Sequence, residues 1–331
     1  MRLHALFAAA LALTGCPNEA PVVPAAESPT ASAVHTSEPV AAATASAEAS
    51  ATVEAKAATT DTGLGGRLYD KFYAERSVKS GFKPDSPKTR GKADGTGGPS
   101  DNGTLMSAAG KPMLNDAGHD YRLKNLFGWD LKGREGIYGA AFLNKTYAVN
   151  KNLLALQGPA SELVTLLKQG DGAIPAYGSV LDDAALAAIA ELVVATRDRK
   201  LPHPDDIFEP KAFSPGSYVL KAGGNPVRGK EIYAVRCSAC HGADGTRELF
   251  DDGEFSLGSH ARQKAYEDWF KIANGQPGTA MESQVSGSGK ERTQQILDLL
   301  AALCDRTAFP VGKAKGKDVP NNDPRCGAYL K

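Results

Sequence analysis

The run Cys237-Ser238-Ala239-Cys240-His241 constrains this chain more than any other stretch. Two thiols three residues apart lie on neighbouring turns of a short helix, and the residue that follows swings its ring to the same side. The pattern reads as a site of covalent haem attachment, each thiol forming a thioether to one vinyl group while the imidazole bonds the iron. The same thiols could instead make half of a zinc site or a redox dithiol. Zinc would need two more N or S donors at ordered spacing, and the later cysteines, Cys304 and Cys326, form no second Cys-x-x-Cys. A thioredoxin-like dithiol would need a βαβ context, which the sequence lacks.

The surroundings favour haem. Pro226 to Arg236 reads as a helix opened by proline, with Gly229 and Tyr233 on one face so that a second helix could approach closely at the glycine. About forty residues on, Asn274-Gly275-Gln276-Pro277-Gly278-Thr279-Ala280-Met281 is a turn-rich loop ending in a thioether. From Gly289 to Leu303, Ile296, Leu299, Leu300 and Leu303 recur at helical spacing and predict a closing helix.

Gly-x-x-x-Tyr, Cys-x-x-Cys-His-Gly-Ala-Asp-Gly-Thr, Pro-Gly-Thr-Ala-Met and a last amphipathic helix together resemble a small monohaem cytochrome c domain, over about residues 224–310. The resemblance implies a helical fold around one covalently attached haem c, with Cys237 and Cys240 as attachment points, His241 as proximal ligand and Met281 as distal ligand. A His/Met pair raises the reduction potential relative to two histidines. Other roles for these positions are a core-filling Met281 and a distal ligand at His260, which precedes the expected loop. Trp269 and Phe270 would pack beside haem or close an ordinary core.

Earlier in the chain, Gly65-Gly66-Arg67-Leu68-Tyr69 parallels Gly229 to Tyr233, and Ala93-Asp94-Gly95-Thr96 repeats Ala243 to Thr246. Gly172-Ala173-Ile174-Pro175 resembles the distal loop with isoleucine in place of methionine, and Leu181-Asp182-Asp183 opens a helix through Arg197 with Leu186, Ile189, Ala190 and Val193 as its stripe. Residues 62–210 thus resemble a second cytochrome c fold. With no cysteine between Cys16 and Cys237, Gly91 aligned with His241, and Ile174 unable to ligate iron, this copy is expected to hold no haem. Leu126, Phe127, Trp129, Tyr138, Phe142 and Tyr147, from an inserted stretch of about residues 105–156, would fill its core; a vacated pocket for another ligand is the sharper alternative. Lone histidines carry little weight: His119 lies in a polar loop, and His203 in a proline-rich linker is expected to have no chemical role. Met106 and Met113 read as loop or core residues.

The remaining segments set location. Met1 to Leu13 has the basic start and short apolar run of an export signal, too short to span a bilayer. It ends in Leu13-Thr14-Gly15-Cys16, which resembles a bacterial lipoprotein box with Cys16 as the lipidated new N-terminus; a chance cysteine after an ordinary signal is the alternative. Residues 16–61, rich in Ala, Pro, Ser, Thr and Glu, cannot bury enough surface to fold and read as a disordered tether with a reach of roughly 35–40 Å. Cys304, ending the last helix, and Cys326, in the tail, would pair as a disulfide in an oxidising compartment; two free thiols are the alternative.

The expected architecture is therefore mostly α: signal peptide 1–15, lipid-anchored linker 16–61, a haem-free cytochrome c-like domain 62–210 and a monohaem domain with tail 211–331. The expected function is extracytoplasmic, periplasmic electron transfer at a membrane, with redox proteins as partners. The 38 basic residues balance the 38 acidic ones, which gives no case for nucleic acid. The other readings are a haem-bearing subunit of a larger oxidoreductase and an enzyme or sensor with an open haem site.

Overall fold

Two runs of helices follow the same plan, one after the other. The computed structural model describes residues 62–78, 82, 105–111, 113, 121–139, 142, 147–210 and 218–331. The expected signal peptide, Cys16, the tether, Gly91, Ala93 to Thr96 and His119 lie outside these residues. The first run is α1 (Thr62–Lys71), α2 (Leu123–Phe127), α3 (Ala160–Gln169) and α4 (Asp183–Arg197). A short α5 (Pro204–Ile207) and an antiparallel pair, β1 (Phe208–Pro210) and β2 (Tyr218–Leu220) with Phe208 opposite Leu220, lead into the second run. That run is α6 (Pro226–Arg236), α7 (Ser238–His241), α8 (Leu257–Asn274) and α9 (Gly289–Leu303). The chain is mostly helical, as an all-α cytochrome-like fold requires. No helix among the described residues is long and apolar enough to cross a membrane.

Local chemistry sets the helix ends. Asp182 accepts from Ala185 N to start α4, Asn225 caps α6 just before Pro226, and Ser288 with Glu291 forms a reciprocal capping box on α9. The expected stripes are buried: Leu186, Ile189, Ala190 and Val193 on α4, and Ile296, Leu299, Leu300 and Leu303 on α9. Each such aliphatic side chain contributes about 1.5–3 kcal/mol relative to exposure. Helix α8 starts at a Ser256–Ser259 capping box and bends at Lys264, whose φ/ψ of −132° and 36° leaves the helical region.

The two runs match contact by contact. At Gly65 a Cβ would overlap the Ala188 carbonyl of α4; at Gly229 it would overlap the Asp298 carbonyl of α9. Only glycine admits these helix crossings. Four residues on, the Tyr69 hydroxyl donates to Gly128 O at 2.5 Å and the Tyr233 hydroxyl to Gly242 O at 2.7 Å. Gly128 (φ 76°, ψ 166°) ends α2, and Gly242 (φ 84°, ψ 166°) ends α7. Two residues beyond each glycine, an aspartate accepts from the backbone: Lys132 N to Asp130 Oδ1 at 3.4 Å, Thr246 N to Asp244 Oδ1 at 3.1 Å. Between them Leu131 (φ 63°) and Gly245 (φ 74°) share the left-handed conformation.

This equivalence corrects the sequence register. The counterpart of Cys237 to Thr246 is Leu123 to Lys132, so Leu123, Leu126 and Phe127 stand where Cys237, Cys240 and His241 stand. The 105–156 stretch is accordingly not an insertion throughout, since it holds the counterpart helix α2. The first run is longer in two places: between α1 and α2, where the second run has the single residue Cys237 between α6 and α7, and between α2 and α3, whose connection is longer than that between α7 and α8.

Aromatic and charged contacts join the runs. Phe270 of α8 packs 5.4 Å from Tyr69 and 5.5 Å from Trp129, ring to ring, so Phe270 closes the core between the halves. The ammonium groups of Lys124 and Lys271 lie 3.9 and 5.1 Å from the centre of the Trp129 ring, and both face Asp70. Burial pushes the Lys124 ammonium down to about 8. Tyr218 of β2 reaches back to donate to Asp130 of the first run. All described residues belong to one compact unit. Cys304 and Cys326 form a disulfide, and the tail it holds lies beside β2, with Leu220 N donating to Arg325 O at 2.8 Å. His203 differs from expectation: it is buried, and its Nδ1 accepts from Asp205 N at 3.2 Å to cap α5, a structural role.

Candidate haem-attachment site

One turn of helix assembles the motif. Cys237 N donates to Tyr233 O, continuing from α6, while Cys240 N and His241 N both donate to Cys237 O at 3.1 and 2.9 Å. That turn sets Cys237, Cys240 and His241 at i, i+3 and i+4, on one side of the helix. Gly242 then reverses the chain, and Arg247 N returns to His241 O at 3.1 Å.

Cys237 is half-buried, Cys240 exposed, and both thiols are free. Burial pushes the Cys237 thiol up to about 11, which holds it protonated at neutral pH and argues against a reactive dithiol. No group of three or more His, Cys, Asp or Glu among the described residues is arranged to hold a metal ion, so zinc gains nothing from the geometry. Burial also lowers the basicity of His241, keeping the ring neutral, the state in which an imidazole offers a lone pair to a metal. Its Nδ1 is buried without a hydrogen-bond partner among the described residues. The ring sits 5.9 Å from Phe250.

Met281 is half-buried at the end of a loop fixed through its backbone. Gln276 N donates to Met281 O at 2.8 Å, Met281 N donates to Thr279 Oγ1 at 3.1 Å, and Gly275 pairs with Glu282 in a bridge. The loop is tied to the motif by Arg236, the residue immediately before Cys237, whose Nη1 donates to Gln284 O at 2.6 Å and Nη2 to Ser286 Oγ at 3.4 Å. Neither this tether nor the Phe250 contact was visible in the motif; the signal available was the arginine abutting it.

The other distal candidate, His260, is buried with its Nδ1 2.9 Å from Asp268 Oδ1 and its ring 5.6 Å from Phe250 and 5.5 Å from Phe255. Burial alone would lower its pKa, but the Asp268 carboxylate prevails and holds it above the ordinary imidazole value.

The first run shows what this site would be if closed by protein alone. Its Gly170 ends α3 as Gly275 ends α8, and Asp171 N donates to Ile174 O as Gln276 N donates to Met281 O. Leu123, Leu126, Phe127 and Ile174 are 0, 6, 0 and 0% exposed. Their counterparts Cys237, Cys240, His241 and Met281 are all half-buried or exposed. Two thiols, a neutral imidazole and a thioether, left uncovered where four apolar side chains would complete a core, fit a large flat apolar group that carries a metal.

No family model matches the chain, and no solved structure matches it. A stretch of 102 residues is 28% identical to a thiosulfate dehydrogenase from Psychrobacter arcticus, covering 30% of this chain and 31% of that enzyme. The match thus spans about a third of the length of a redox enzyme, and the likeness extends to a redox protein and no further.

Proposed function

We propose that the chain is a one-electron carrier bearing a single covalent haem c. The observation behind this reading is the contrast between Leu123, Leu126, Phe127 and Ile174, which close one core, and Cys237, Cys240, His241 and Met281, which leave the other incomplete. The two thiols would hold the haem covalently and His241 and Met281 would bind its iron; when bound, the group would supply a centre for one-electron exchange. The chain's own part is to hold His241 neutral, fix Met281 by the bond from Gln276, and couple motif to loop through Arg236. Two protein ligands to the iron would leave no ready place for a substrate there, which favours electron transfer over chemistry at the metal.

Residues 62–210 act in this reading as a haem-free docking or assembly module for redox partner proteins, and Cys16 carries the lipid that keeps the protein at a membrane outside the cytoplasm. The second reading, supported by the likeness to thiosulfate dehydrogenase, is a haem-dependent oxidoreductase or a subunit of one. Redox titration of the purified full-length protein followed by absorption separates them. A single one-electron wave, with no carbon monoxide binding on rapid mixing of the reduced protein, fits the carrier. A high-spin spectrum with fast carbon monoxide binding, and reduction of the haem by added thiosulfate, fits the enzyme.

A further inference from the structure

The loop that ends in Met281 is held from two sides, and one of them belongs to the first half. Asn274, the last residue of α8, is 4% exposed, and its side chain bonds back to Phe270 O at 3.0 Å. Gly66 of α1 lies so close to it that a Cβ would overlap the Asn274 side chain. Arg67 of α1 donates from Nη1 to Asn274 O at 3.3 Å and is itself aimed by Glu75, which accepts from its Nε at 2.7 Å. One turn earlier on α8, Lys271 pairs with Asp70. Four residues past Asn274, Gly278 sits against the first half again: a Cβ there would come within 2.9 Å of Ala74 O. Gly278 has φ +77°, so glycine serves both the turn and the close approach.

We propose that residues 66–75 of the first half are a brace that positions the Met281 loop. The brace fixes the loop at its root, through Asn274, and at its crest, through Gly278, so that Gln276 N and Met281 O stay paired. Gly66, Arg67 and Ala74 are positioning residues: they act on Met281 through the loop. This gives the haem-free half a purpose inside the chain, where it limits how readily the thioether leaves. The proposal rests on Met281 as the distal ligand, but the brace itself is a property of the polypeptide and is measurable without haem.

The test uses the full chain, haem-loaded and unloaded, as wild type, Arg67→Met, Arg67→Lys and Gly66→Ala. Arg67→Met removes the donor to Asn274 O, and Gly66→Ala displaces the Asn274 side chain by contact. Amide exchange at Gln276 is expected to quicken about tenfold in Arg67→Met and Gly66→Ala, the scale of losing one charged hydrogen bond, in both the loaded and unloaded chain. Arg67→Lys is expected to recover part of the protection. In the loaded protein the same two variants should gain carbon monoxide binding to the reduced iron. Unchanged Gln276 exchange in both variants would overturn the brace. Faster exchange with no change in carbon monoxide binding would confine the brace to the loop and remove its hold on the ligand. A wild type that carries haem without thioether ligation would instead overturn the Met281 assignment, leaving the exchange result to stand by itself.

Discussion

The two helical runs differ least in backbone and most in what fills them. Both use a glycine to seat the first helix on the last, a tyrosine four residues later bound to a glycine carbonyl, and an aspartate-held turn after that glycine. The first run then closes with Leu123, Leu126, Phe127 and Ile174, buried to 6% exposure or less. The second presents sulfur and nitrogen at the same places. Side chains close the core in one copy, and in the other the same places carry the sulfur and nitrogen donors on which the proposed haem rests.

Substitutions that break the comparison should have unequal effects. The largest is Cys237→Ala with Cys240→Ala, which is expected to lower covalent haem from one per chain to none, read from absorption of the denatured protein. Phe127→Ala in the closed half should cost about 3–5 kcal/mol in denaturant unfolding, because it opens a cavity in a finished core. His241→Ala in the unloaded chain removes a half-buried ring and should cost less than half of that.

Smaller effects sharpen the picture. Reducing the Cys304–Cys326 disulfide, which has no counterpart in the first run and closes a separation of 22 residues, should lower stability by about 3 kcal/mol in the chain-entropy model. Tyr69→Phe and Tyr233→Phe, which remove the same bond from each half, should each cost about 1–2 kcal/mol, and near-equal values would support the equivalence. The smallest expected effect is pH-dependent. His260, facing Asp268, Glu267 and Lys264, has a folded pKa above its unfolded value near 6.5, so its contribution is whole below that pH and disappears as pH rises through the folded value. Melting midpoints of wild type against His260→Phe across that window should converge as pH rises.

Much of the fold was legible because it is written in strong local signals. Pro226 to Arg236, Asp183 to Arg197 and Gly289 to Leu303 are helices over the bounds that their caps and stripes suggest. The Cys-x-x-Cys-His turn was plain for the same reason. The register of the repeat was not. Identity pointed to Ala93 to Thr96, whereas the equivalence is carried by backbone: Gly128 and Gly242 share a conformation, and Leu131 takes the left-handed geometry that Gly245 takes without a side chain. A leucine in that geometry costs roughly 1–2 kcal/mol and gives no sign of it in sequence. The brace was hidden for another reason, since Gly66, Arg67 and Asn274 are some two hundred residues apart and become neighbours only when the halves pack. His203 read as a linker residue because nothing in Pro202-His203-Pro204 shows that the ring turns inward to cap α5.

In the proposed reading, one half is completed by protein and the other by haem. Covalent haem per polypeptide tests it most directly, measured by absorption of the denatured protein in alkaline pyridine after maturation in a host that makes c-type cytochromes, with the modified peptide located by mass spectrometry. One haem per chain is expected, on the peptide that contains Cys237 to His241. No haem would return those thiols to other chemistry, and a second haem elsewhere in the chain would contradict the closed core around Phe127.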